Sequence, residues 1–289
     1  MLFAHEKGNL YPVQAFDGYI HSVFDKAINI VTNDPTAPWV SLLDLSLPNT
    51  PCGLKVAMAS QPIFKQCQVK DRVYYRGGIL RFEAQPLLTI DSRSAKWWCR
   101  PPKPREYQEK RLLNNIRYLE SCFTQHINKN ESDNLNIKSH LEYLREKALY
   151  FNFNLFSEPE LITENIGKGQ GLTPSGDDFI CGVFALLTYV SKEFSELSHT
   201  CSVVLSTMVK SCQSNWQKTN EVSLHYLQQA SKGDISQPVL WLVYSIFTST
   251  LESEVEKALH NVLEIGSSSG CDIVSGILFG AHQLQLNQY

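Results

Sequence analysis

The sequence predicts an α+β fold, with a β-rich N-terminal half, an antiparallel sheet or barrel, packed on an all-α C-terminal half. Three observations lead there. Up to about residue 95 the apolar residues recur with a period near two, between clusters of turn residues. From Glu106 onward the period lengthens to that of amphipathic helices. Between the two regimes stands Arg100-Pro101-Pro102-Lys103-Pro104, a stiff run that no helix interior tolerates. The boundary is drawn there, giving a β-rich domain over 1–99 and a helical domain over 100–289.

Val23 to Val31 reads as a strand, closed by the turn residues Asn33, Asp34 and Pro35. Further strands follow at Trp39 to Leu45, Gly53 to Ala57, Arg72 to Tyr75, Ile79 to Phe82 and Leu87 to Ile90. Pro48, Pro51, Pro62 and Pro86 punctuate them and argue against intervening helices. Arg76-Gly77-Gly78 reads as a hairpin turn in preference to an arginine delivered to a distant pocket. In the second half, Glu106 to His126 is an amphipathic helix with Leu112, Ile116, Leu119 and Phe123 on one face. Asn128 to Asp133 is polar and loop-like, and Ser139 to Phe151 is a second helix. Helices are then expected at Phe179 to Val190, Ser202 to Trp216 and Val222 to Ala230, the last capped by Thr219-Asn220. Pro238 stands in the first turn of the helix carrying Val239 to Phe247, and Leu251 to Leu263 and Ile273 to Leu284 complete the series.

At 289 residues and a formal charge of -3, the chain has ample apolar content for a core and no basic stripe for nucleic acid. Its longest apolar runs fall short of the roughly 20 residues that cross a bilayer. The first residues lack the order of a signal peptide, so a cytoplasmic protein is expected. The eight cysteines stand singly, without Cys-x-x-Cys spacing, and read as reduced. The histidines are isolated, with no metalloprotease pairing.

The chemistry is expected at Gly167-Lys168-Gly169-Gln170-Gly171-Leu172-Thr173-Pro174-Ser175-Gly176-Asp177-Asp178. Glycines at alternate positions allow positive φ and close approach of a ligand to the backbone. The loop feeds an apolar helix, whose first turn offers unpaired N–H groups and the positive end of the dipole to a phosphate or carboxylate. Ser175 and Asp178 also have the spacing of a capping box, Ser175 at the N-cap and Asp178 at N3. The loop is neither a Walker A motif, since no lysine follows its last glycine, nor a dinucleotide-binding fingerprint.

The device recurs. Ser269-Gly270-Cys271-Asp272-Ile273-Val274-Ser275-Gly276 repeats the spacing Ser-Gly-x-Asp-x-x-x-Gly of Ser175 to Gly182. In each copy the glycine follows the aspartate by one helical turn, on the same face. Small residues there would let two helices approach closely, with both starts lining one polar pocket. Its candidate residues are Gly169, Gly171, Thr173, Ser175, Gly176, Thr219, Ser268, Ser269, Gly270 and Asp272 for binding, and Asp177 and Asp178 for catalysis. Two carboxylates beside an anion need a counter-charge, supplied by a basic side chain, the helix dipole or a divalent cation such as magnesium held by Asp177. Cys271, at a helix start, is a candidate for a depressed pKa.

The stretch Gly169 to Phe179, with Thr219, Ser223 and Gly266 to Asp272, resembles a bacterial domain-of-unknown-function family that includes the AllH-type subunit of oxamate carbamoyltransferase. Ser22 to Ile30 is similar to that family's opening strand, and the resemblance covers most of the chain. It implies a chain working with other subunits, in an enzyme that converts oxalurate and phosphate to oxamate and carbamoyl phosphate in allantoin breakdown. Phosphate, carbamoyl phosphate and oxamate-like carboxylates are small anions, as a helix-start pocket would take. In that scheme Asp177 orients or deprotonates the attacking nitrogen. Two other readings remain at this point: a non-catalytic scaffold subunit, and a magnesium-dependent hydrolase with metal between Asp177 and Asp272.

Overall fold

Alternation of buried and exposed side chains organises the first part of the chain into a sheet. The computed structural model describes residues 1–58, 62–104, 108–129 and 139–286, and divides into two units at Arg100 and Pro101. The first unit holds β1 (Leu2–Phe3), β2 (Glu6–Lys7), β3 (Phe16–Val23), β4 (Ala27–Thr32) and β5 (Trp39–Asp44). It continues with β6 (Gly53–Val56), β7 (Arg72–Arg76), β8 (Ile79–Phe82), β9 (Thr89–Asp91) and β10 (Lys96–Trp97). They form one curled sheet in the order β1-β9-β8-β7-β3-β4-β5-β6-β2-β10. Most neighbours are antiparallel, but β1 with β9, β5 with β6 and β2 with β10 run parallel. Val73 and Tyr75 on β7, and Leu80 and Phe82 on β8, point to the same buried face as Ile28, Ile30, Val40 and Leu42. Fully burying Phe16 or Phe82 there contributes about 1.5–3 kcal/mol each.

Several strand expectations need correction. Val23 to Val31 is not one strand: the chain turns at Phe24, Asp25 and Lys26, closed by Phe24 N–H to Ala27 C=O at 2.8 Å, and β3 and β4 pair across it. β3 was hidden because its polar Asp17, His21 and Ser22 break the alternation, and His21 sits where the register with β4 shifts. β9 begins only at Thr89, after a turn at Pro86 and Leu87 that Leu88 N–H closes on Gln85 C=O. Pro62–Gln66 forms a short 3₁₀ helix, tolerated because proline lies at its first position. Arg76 stays within the sheet, donating to Phe16 C=O (2.6 Å) and pairing with Asp17 (2.7 Å), as a hairpin turn requires.

The second unit is helical: α1 (Glu109–Lys129), α2 (His140–Glu146), α3 (Ser175–Glu193), α4 (Ser195–Gln213), α5 (Glu221–Ala230), α6 (Gln237–Thr248), α7 (Glu252–Leu263) and α8 (Ser269–Leu286). α1 buries Leu112, Ile116, Leu119 and Phe123 as the pattern requires, and also Asn115. The Asn115 amide donates to the carbonyls of Ile246 and Ser249 at 3.0 Å, satisfying acceptors that the end of α6 leaves open. Asn128 belongs to α1, and 130–133 of the expected loop, like Glu106, lie outside the described residues. α2 is shorter than expected, since Ala148 adopts φ 52 and cannot continue the helix. α4 begins earlier than expected, at Ser195, and a 3₁₀ turn, Trp216–Lys218, follows it. Asn220 caps α5 by accepting from Ser223 N–H, as expected of that pair.

α3 is the centre of this unit. It is apolar nearly all round and buried from Ser175 to Gly182 on to Val190 save Cys181, which suits a helix enclosed by others. α4, α5, α6 and α8 all pack on it, and α8 does so along the greatest length. Among the described residues no helix is long and apolar enough to cross a membrane.

Candidate functional site

The glycine of each repeated element sets how close α3 and α8 come. A side chain on Gly182 would collide with the Ile273 carbonyl and the Ile277 amide of α8. One on Gly276 would collide with the Phe179 carbonyl and Gly182 of α3. The contact is reciprocal, so the two copies of Ser-Gly-x-Asp-x-x-x-Gly cross at equivalent points and their starts lie side by side. Thr173 Oγ1 and Ser269 Oγ are 3.0 Å apart across the join.

The start of α3 is built by the loop before it and not by a serine cap. The N-cap is Pro174, without a side-chain cap, and Ser175 is already the first helical residue; the expected capping box is found instead at Ser139 and Glu142 of α2. Gly167, Gly169 and Gly171 take φ of 74, 108 and 96, which folds the loop back so that the Lys168 carbonyl accepts from Gly176 N–H at 2.8 Å. A Cβ on Gly169 would stand 2.7 Å from the Ser175 nitrogen. Asp177 N–H and Asp178 N–H both donate to Pro174 C=O. These first-turn amides are spent inside the protein, so a ligand here meets side chains more than backbone N–H groups. Asn165 anchors the loop's entry, exchanging two hydrogen bonds with the Tyr150 backbone at 2.6 and 2.8 Å.

Asp177 is a fastener. Its carboxylate is 1% exposed and accepts from Gly167 N–H (2.8 Å), Ser223 Oγ (2.6 Å) and Thr219 Oγ1. It therefore binds the glycine loop to the start of α5, and Thr219, expected to touch substrate, is occupied in the same knot. Charge-assisted hydrogen bonds contribute about 1.5–3 kcal/mol each when buried. Asp177→Asn is expected to lower thermal stability by about 2 kcal/mol or more and to expose the Gly167 to Leu172 loop to limited proteolysis. An unchanged melting temperature and digestion pattern would contradict the fastener role.

Asp178 and Asp272 differ from Asp177. They are 6% and 1% exposed, and each has one oxygen, Oδ2, with no hydrogen-bond partner among the described residues. Burial pushes the Asp178 carboxyl up to about 8; the Ser269 and Thr173 hydroxyls pull it down, and the nearby charges of Asp272 and Asp177 raise it again. Asp272 is likewise raised by burial, against the Tyr143 hydroxyl, the Lys147 ammonium and the Ser175 and Ser268 hydroxyls. The arrangement is again reciprocal, with Ser269 beside Asp178 and Ser175 beside Asp272. Gly270 packs against the Val262 carbonyl and brings the second start into place. Gly169 and Gly171 are exposed on the loop, next to half-buried Thr173.

Two further expectations are corrected. Cys271 does not have a depressed pKa: burial and the Asp272 charge push its thiol up to about 11. Nor are all histidines isolated, since His282 of α8 lies 3.4 Å from Glu120 of α1, and burial beside this pair moves His140 down to about 4. Among the described residues no disulfide joins any of the eight cysteines. Among the described residues no three His, Cys, Asp or Glu side chains gather as a metal centre. Tyr143 and Lys147, which reach Asp272 from α2, carry no signal in the sequence, because only the tertiary fold brings a helix some 130 positions upstream to that aspartate.

A curled sheet followed by a helical unit, in which two duplicated helix starts join buried acids to hydroxyls, defines the class: a two-unit α+β chain with an acid-and-hydroxyl site. The chain belongs to the AllH family. The family model described as oxamate carbamoyltransferase subunit AllH matches residues 165–281, which include both helix starts. That of the AllH family N-terminal domain matches residues 5–97, the sheet. No solved structure matches the chain.

Proposed function

We propose that this chain is a subunit of an oxamate carbamoyltransferase and that the joined starts of α3 and α8 hold its small anionic substrates. The observation that carries the reading is the pair of buried carboxyl groups, Asp178 and Asp272, each with an unpartnered oxygen amid the hydroxyls of Thr173, Ser175, Ser268 and Ser269. The charge objection to an anion beside acids is met in this site. The Asp177 carboxylate is turned to its own three donors, and Asp178 is mostly protonated at neutral pH. The hydroxyls and the two helix dipoles then face phosphate, carbamoyl phosphate or an oxamate-like carboxylate.

In the direction from oxalurate, a phosphate oxygen attacks the terminal carbamoyl carbon, the bond from that carbon to nitrogen breaks, and carbamoyl phosphate forms. The departing nitrogen takes a proton from the Asp178 carboxylic acid and leaves as the amide of oxamate, and the proton that the attacking hydrogen phosphate loses restores the acid. In reverse, the Asp178 carboxylate accepts that proton as the nitrogen attacks carbamoyl phosphate. A group with a pKa near the working pH serves both directions. Asp177, the first candidate for this role from sequence, holds the loop while Asp178 moves the proton. The other subunits implied by the family description complete the assembly.

Replacing both hydroxyls at the join, Thr173→Val with Ser269→Ala, is expected to weaken binding of phosphate and carbamoyl phosphate by about tenfold or more. Calorimetry on the chain, with kinetics on the assembled enzyme, checks this. Unchanged affinity together with unchanged KM would leave the scaffold reading. A magnesium-dependent hydrolase is favoured only by the same two free carboxyl oxygens, and it requires magnesium binding in calorimetry that disappears in Asp272→Asn.

A further inference from the structure

A cation reaches the joined helix starts from α2. Tyr143 donates its hydroxyl to Asp272 Oδ1 at 2.7 Å. Four residues on, at the C-cap, Lys147 brings its Nζ to 4.0 Å from the same oxygen and 5.5 Å from the centre of the Tyr143 ring. The i, i+4 spacing puts both side chains on one face of the helix, and that face meets the start of α8.

The geometry is that of a cation held in place but not used up. An ammonium has three donors, and 4.0 Å is too long for a hydrogen bond to Asp272. Among the described residues Lys147 Nζ makes no side-chain hydrogen bond, and the side chain is 31% exposed, between solvent and the buried acids. Asp272 Oδ1 is already taken by Tyr143, so the carboxyl attracts Lys147 without binding its protons, while Asp272 Oδ2 stays open. We infer that Lys147 contacts the bound anion directly, as its counter-charge, and that Tyr143 positions Asp272 to keep that ammonium at the mouth of the site. This inference rests on the carbamoyl-transfer reading and extends it from hydroxyls and acids to a charged substrate-binding residue.

Inorganic phosphate is the probe, titrated by calorimetry into the full chain and its variants. Lys147→Met is expected to weaken phosphate binding by about tenfold or more, as loss of a charge-assisted hydrogen bond implies. Lys147→Arg is expected to restore most of the affinity, which a purely structural role in α2 would not require. In the assembled enzyme the same Met variant should raise KM for phosphate much more than it lowers kcat. If the wild-type chain binds phosphate and Lys147→Met binds it equally well, the Lys147 role is overturned and the site reading survives. If the wild-type chain binds no phosphate, the anion-site reading itself fails and takes the Lys147 role with it.

Discussion

Asp178→Asn is expected to make the chain more stable than the wild type at pH 8 while reducing turnover of the assembled enzyme by about 10²–10⁴-fold. The stability effect follows from the buried carboxyl. Its folded pKa is raised to about 8 from 3.8. Below pH 4 both folded and unfolded chains hold the proton, and the group contributes nothing to pH dependence. Between pH 4 and 8 the unfolded chain has lost the proton and the folded chain keeps it, so folding becomes less favourable by up to about 1.4 kcal/mol per pH unit. Above pH 8 the whole penalty, on the order of a few kcal/mol, is present. An amide of the same shape has no charge to desolvate and escapes it.

Melting temperatures of both proteins from pH 4 to 9 provide the check. The gap should open with rising pH and level off near 8. Asp272, also raised by burial, leaves a residual slope of the same sign in the variant. Parallel curves would mean that Asp178 ionises as freely in the fold as out of it. The same carboxyl predicts the kinetics: with the acid form donating to the departing nitrogen, phosphorolysis of oxalurate should slow as pH rises through about 8, and Asp178→Asn should lack that limb. A stabilising substitution that removes activity is the signature of a group kept at a cost for its chemistry.

Much of this was legible in the sequence, and the parts that were not share a cause. Strands such as Arg72 to Arg76 and Ile79 to Phe82 bury alternate residues, so a period of two announces them. The hairpin at Phe24 to Lys26 has no glycine, asparagine or proline to mark its turn, so the pattern reads as one strand where two pair. At the site, the duplicated Ser-Gly-x-Asp element foretold the approach of α3 and α8, because glycine a turn after an acid has few uses other than close packing. The roles within it were harder. Which aspartate is fastened and which is free depends on where Thr219 and Ser223 arrive from α5, and residue order does not encode that. The cap of α3 comes from the carbonyl of Lys168, whose direction is set by φ angles at its neighbours and not by its own side chain.

The crossing of α3 and α8 yields the second large expected effect. Gly276→Ala should destabilise the chain by several kcal/mol, and Gly182→Ala by a similar amount, since each new methyl group meets backbone of the facing helix and not a side chain that can swing away. Relief requires the helices to move apart, which would also separate Thr173 from Ser269 and Asp178 from its flanking hydroxyl. Phosphate affinity should fall in whatever fraction remains folded. Gly280, one turn further along α8, supplies the control. A Cβ there comes to 3.0 Å from Leu186 Cδ2, the far end of a flexible side chain, with the nearest backbone atom at 4.0 Å. Alanine is also favoured over glycine in a helix by about 1 kcal/mol, so Gly280→Ala should be neutral or mildly stabilising. Thermal unfolding of the three variants separates the explanations: equal losses at all three positions would point to a general intolerance of α8 to added volume, whereas loss at Gly182 and Gly276 alone places the demand at the crossing that joins the two helix starts.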